Sequence, residues 1–175
     1  MSVTVEINIE DSRWSEHALG SWGETACRAA LAELGLGDAG FEISVLACDD
    51  VRIAELNREF RDKPRPTNVL SWPSEERGAA KEGGQPALPD PANTMDFELG
   101  DIAIAFDTCL NEAQLSGKPF EQHVIHLLVH ATLHLLGFDH ESDADAALME
   151  GLETNILEKL GHPNPYETKD EAKRV

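Results

Sequence analysis

Basic residues are scarce in this chain. Across 175 residues, 14 lysines and arginines stand against 33 aspartates and glutamates, a formal charge of −19. So acidic a body repels polyanions at long range, which argues against a general nucleic-acid binder. Long apolar runs are missing too. None approaches the ~18 residues of a membrane span, so no membrane partner is expected. The opening MSVTVEINIEDSRW lacks the basic stretch that begins a signal peptide, and a cytoplasmic protein is the expectation. Cysteine is limited to Cys27, Cys48 and Cys109, far apart and mostly within apolar runs. Such an odd, scattered set predicts reduced core thiols rather than a disulfide framework. There is no internal repeat and no RRM or KH signature.

What remains is the composition of an ordinary soluble domain, 41% hydrophobic and 27% charged. SVTVEINIE alternates apolar and polar residues, as a half-buried strand does. FEISVLAC, TNVLSWP and LGDIAIAF read as three more strands. A helix opens at Ser15 and stops at Gly35 and Gly37. DDVRIAELNREFR follows as a second, with Val51, Ile53, Leu56 and Phe60 facing the core. DTCLNEAQLSG, then 119–136, then SDADAALMEGLETNILEKLG complete the helices. Residues 74–97 are rich in Gly, Pro, Ala and acids without a period, which predicts a long mobile surface loop. The class is α+β: a single domain over 1–166, with a mixed β-sheet of about four strands packed with helices. The histidine-bearing helix belongs near its centre. Residues 167–175 read as a polar C-terminal tail.

HLLVHATLHLLGFDH, residues 126–140, holds four of the seven histidines. In a helix each residue advances about 100° and about 1.5 Å. His130 and His134 therefore lie about 40° apart and one turn apart, so their rings converge. Gly137 tolerates the positive φ that lets the chain fold back and bring His140 over the same point. Three imidazoles from a helix and its turn suit one tetrahedral metal with its fourth position open. His126, one turn earlier, would close that site as a ligand and is expected to support it instead. His123 and His162 read as surface residues. The spacing also matches H-E-x-x-H-x-x-G-x-x-H of metzincin peptidases, but Ala131 stands where those enzymes carry their general base. A zinc peptidase or amidase is therefore the weaker alternative. A non-catalytic ribosome assembly factor with a structural metal is another.

HATLHLLGFDH resembles the signature H-G-x-L-H-L-x-G-[YF]-D-H of the bacterial YbeY family. LNREFRDKPRPTNVLSWP, LGDIAIA and MEGLETNILEKLGHPNPY resemble further segments of that family, so the likeness covers most of residues 40–166. Ala131 departs from the usual glycine, and residues 74–97 are longer than a minimal member needs. The resemblance implies a zinc-dependent, single-strand-specific endoribonuclease. It implies action in ribosomal RNA maturation, at the 3′ end of the small-subunit RNA, and in ribosome quality control. It also implies one Zn2+ per chain on His130, His134 and His140, with another divalent metal as the alternative. The implied partners are single-stranded or ribosomal RNA and the ribosome or small-subunit assembly proteins.

Arg61 sits where the family carries an arginine implicated in activity, and a guanidinium matches phosphate geometry. Residues 51–70 hold five of the fourteen basic residues. Among these, Arg58, Lys63 and Arg65 are candidates to guide the RNA backbone, with solvated surface charge as the competing role. Asp139 is a candidate to orient a ligand histidine or the attacking water; a local turn cap is the alternative. Thr67, Asn68, Ser71 and Asp101 fall in matched motifs and fit structural duties equally well. Trp14, Trp22 and Trp72 read as core.

Overall fold

The computed structural model describes residues 2–166, so the tail at 167–175 lies outside the described residues. Strand β1 (Thr4–Ile9) leads into helix α1 (Glu16–Glu33), then β2 (Glu42–Cys48) and α2 (Asp50–Arg61). Strands β3 (Val69–Pro73) and β4 (Glu98–Ala105) follow, and helices α3 (Phe106–Ser116), α4 (Phe120–Leu135) and α5 (Asp143–Lys159) complete the order. The strands form one mixed sheet in the order β1-β2-β4-β3. β1, β2 and β4 run parallel, and β3 pairs antiparallel along the edge of β4.

Local chemistry sets the helix boundaries. Ser15, Asp49 and Ser142 each accept a hydrogen bond from the first turn of α1, α2 and α5, satisfying an amide that has no partner within the helix. Successive residues of β4 face opposite ways. Ile102 and Ile104 enter the main core with α1, α4 and α5. Ala103 and Ala105 enter a smaller cluster with Ile53 and Leu56 of α2. Helix α4 is the most enclosed element: Val124, Ile125, Leu128, Val129, Leu133 and Leu135 are all buried. A helix apolar nearly all round must be surrounded. The histidine helix thus sits near the centre of the molecule.

Three expectations change in detail. Val51 and Phe60 do not face the core: they are 69% and 62% exposed, because α2 covers only one edge of the sheet's second face and buries only its Ile53 and Leu56 side. Only Trp14 is a core tryptophan. Trp22 and Trp72 are half-buried, and Trp72 packs edge-on to Phe60. Residues 74–97 are not simply a surface loop. Arg77, Pro86 and Pro89 are buried, Leu88 packs on the main core, and Ala87 N donates to Arg77 O. A short 3-10 turn occupies Thr94–Asp96.

Candidate active site

The turn after α4 explains where the segment 74–97 docks. Gly137 has φ +105°, and a Cβ there would lie 2.6 Å from Arg77 O and 2.7 Å from Pro86 Cβ. Glycine is needed both for the conformation and for the space. Phe138 N donates to Leu133 O and closes the turn. The chain then returns with His140 beside His130, their ring centroids 5.2 Å apart.

His130, His134 and His140 line one open cavity of about 490 Å³. Arg61, at the C-terminus of α2, lines the same cavity together with Thr67, Asn68 and Ser71. Helix α2 ends there because Asp62 turns left-handed at φ 54°, one of the few non-glycine residue types that does so readily. His126, Asp139, Glu141 and Tyr166 complete the rim. The sequence thus identified most of the wall, and the fold brings its parts together from α2, β3, α4 and the turn after α4.

Two of the three histidines are braced at the same ring atom. His130 Nδ1 is 3.1 Å from Glu153 Oε1, and His134 Nδ1 is 2.6 Å from Ser71 Oγ. Partners at Nδ1 leave Nε2 as the remaining donor atom, which is how metal-binding histidines are commonly oriented. Burial keeps the pKa of His134 below the ordinary imidazole value, with His130, His140 and Arg61 adding to the effect and Asp139 opposing it. A neutral imidazole is the form that donates to a metal. Among the described residues, no three His, Cys, Asp or Glu side chains are gathered in the geometry of a bound ion. What the structure presents is a donor set facing one cavity, two of its members already braced. In chemical type that set fits zinc.

Other expected residues fall in different places. Asp139 Oδ1 accepts a hydrogen bond from His140 N at 2.7 Å, the geometry of a local turn cap at the cavity rim. Arg58, Lys63 and Arg65 are exposed and outside the cavity lining; Arg58 borders a separate groove with Pro64 and Pro66. Asp101 lies across from Trp72 on an outer surface of the sheet, in another cavity altogether. Asn68 donates to Glu112. His123 is half-buried rather than superficial, because Glu112 also pairs with its Nε2 at 2.9 Å.

The residue that sequence reasoning passed over is Glu153. It is wholly buried, yet its carboxylate meets His126 Nε2 at 3.0 Å, His130 Nδ1 at 3.1 Å and the Tyr166 hydroxyl at 2.7 Å. Burial raises its pKa, but the hydrogen bonds from His126 and His130 outweigh that and hold the carboxyl down at about 2. A signal was present: Met149, Glu153, Ile156 and Leu157 form the buried stripe of α5, so Glu153 is an acid in an apolar series.

Against known proteins, the family model described as Endoribonuclease YbeY matches residues 4–161. The Endoribonuclease YbeY of Dinoroseobacter shibae is 59% identical over 165 residues, covering 94% of this chain and 91% of the relative. That of a Ruegeria species is 55% identical over 166 residues, covering 95% and 98%. The solution structure of TM1509 from Thermotoga maritima superposes with a TM-score of 0.51 at 21% identity, covering 90% of this chain and 92% of that one. At that identity the superposition speaks for the α+β fold alone.

Proposed function

This chain belongs to the YbeY endoribonuclease family, and from that premise we propose that it is a zinc-dependent endoribonuclease specific for single-stranded RNA. On this reading it acts in the cytoplasm in maturation of the 3′ end of small-subunit ribosomal RNA and in ribosome quality control. The observation that carries the reading is one cavity of about 490 Å³ lined by three imidazoles and an arginine together. A phosphodiester needs both a polarising centre and a cation for the charge that develops on its nonbridging oxygens.

His130, His134 and His140 would hold one zinc ion per chain, with another divalent ion as the alternative occupant. The bound metal would supply Lewis acidity towards a phosphoryl oxygen and a water of lowered pKa. The remaining work belongs to the protein's own side chains. Ser71 and Glu153 hold two imidazole rings in orientation. Arg61 presents a planar guanidinium whose paired N–H groups match two phosphate oxygens. Asp139 fixes the backbone amide of His140 and so the position of the third ring. Arg58, Lys63 and Arg65, outside the cavity, guide the RNA backbone towards it. The −19 charge leaves these few cations little long-range help. The ribosome or its small-subunit assembly proteins then supply proximity to the substrate.

Elemental analysis of the purified protein should find one metal ion per chain. With labelled single-stranded RNA, Arg61→Ala should keep that metal and lose cleavage by at least about 100-fold, the scale on which removing one transition-state donor acts. Equal cleavage by both proteins would sink the role of Arg61. A chain that carries no metal and takes none up would sink the zinc reading.

A further inference from the structure

We propose that Glu153 is a positioning residue that sorts the histidines of α4, turning His130 into a metal donor and withholding His126. The inference rests on the zinc reading above and deepens it by explaining how four neighbouring imidazoles yield three ligands. Helix α4 presents His126, His130 and His134 one turn apart. Spacing alone would make all three equivalent.

Glu153 removes the equivalence. Its side chain is fully enclosed, so water cannot satisfy it and the protein must. A carboxylate only accepts hydrogen bonds. Its Oε1 lies 3.0 Å from His126 Nε2 and 3.1 Å from His130 Nδ1, so each imidazole donates a proton from the atom that faces it. The two rings are thereby fixed in opposite tautomers. His130 carries its proton on Nδ1 and keeps the Nε2 lone pair. His126 carries its proton on Nε2, and the atom at the tip of its ring has no lone pair to offer. Oε2 accepts from the Tyr166 hydroxyl at 2.7 Å, and the tyrosine ring stands edge-on to His126 with centroids 5.6 Å apart. His126 is therefore held from two sides with its Nε2 engaged, and its only lone pair is left on Nδ1, the nitrogen nearer its own backbone. One buried oxygen thus selects which histidine binds, and the segment after α5 is fastened to the cavity wall through the same carboxylate.

The test uses the full-length protein, freed of metal and labelled with 15N-histidine, at a pH well above the ordinary imidazole value of about 6.5. Long-range proton–nitrogen spectra report which ring nitrogen carries the proton, and spectra of His126→Gln and His130→Gln assign the signals. The wild type should show His130 protonated at Nδ1 and His126 at Nε2. His130 protonated at Nε2 would overturn the proposal without any variant of Glu153 being needed. Zinc affinity, measured by competition with a chromophoric chelator, should then fall by about 10–100-fold in Glu153→Gln, the usual scale for losing a ligand's hydrogen-bond partner. The same variant should lose the Nδ1 signature of His130 while its circular dichroism is unchanged. A folded Glu153→Gln that binds zinc as tightly as the wild type would also overturn the proposal. If that variant does not fold, the wild-type spectrum decides. A wild type that binds no zinc would sink the zinc reading and this inference with it, a result distinct from equal binding by both proteins.

Discussion

Burial governs the cysteines of this protein. Cys27 is pushed up to about 11 by burial, opposed by its hydrogen bond with Thr132, and Cys48 is pushed up to about 12, again chiefly by burial. Cys109, also enclosed, is pushed higher still. Only a thiolate reacts with an alkylating agent. At a pH of about 8, near the value of a free thiol, iodoacetamide should therefore modify none of the three in the native protein. It should modify all three in denaturant, and intact mass spectrometry reads both. A native adduct would mean that one of these pockets opens. The scattered positions of the cysteines already pointed to core thiols, and the structure supplies the cause. Glu153 is the opposite case at this scale. Its place in the apolar stripe of α5 was visible, but its three partners come from α4 and from Tyr166, and no local pattern links them.

Among the elements, the turn from α4 to His140 is tightly constrained. Its glycine adopts φ +105° and lies against Arg77 and Pro86 of the segment 74–97. Gly137→Ala has to accept the strained conformation and push that segment away. The strain alone should cost about 1–3 kcal/mol of stability, measurable by urea denaturation, and displacing Arg77 and Pro86 adds to it. A variant as stable as the wild type would show that the segment 74–97 does not rest on this turn. The need for glycine here was legible, since only a left-handed turn brings a third histidine back over the helix. Its packing partner was not. Residues 74–97 have the composition of a free loop, and their attachment depends on Arg77 and Pro86 finding space beneath the turn. Helix α2 shows a similar limit. Its apolar periodicity was plain, yet Val51 stays exposed on the side of the helix away from Ile53 and Leu56, and Phe60, though it meets Trp72 of β3 edge-on, stays largely exposed as well.

For the whole molecule, charge and its placement decide how RNA can be held. Each phosphate neutralised on a single strand contributes about −0.7 to the slope of log affinity against log salt. Arg61 alone among the candidate cations lines the cavity. If it makes the principal contact, the slope should lie near −1. If Arg58, Lys63 and Arg65 also sit on phosphates, it should approach −3. The guiding role proposed for the three outer cations, which are exposed and free to meet phosphates, predicts the steeper slope, and a slope near −1 would remove them from the RNA path. Fluorescence anisotropy of a short labelled RNA across a salt series distinguishes the two.

The sequence by itself determined the elements, the α+β class and the histidine spacing, because helical and strand periodicities and glycine stops act over a few residues. It also singled out Arg61, through resemblance rather than through any local rule. The tertiary structure alone decided which of these groups meet. It set Arg61 in the same cavity as the histidines and Ser71 against His134, sent Asp101 to another surface, and enclosed Glu153 between His126 and His130. Those relations depend on how the sheet and helices pack across long stretches of chain, and a buried carboxylate is stable only where that packing delivers its donors.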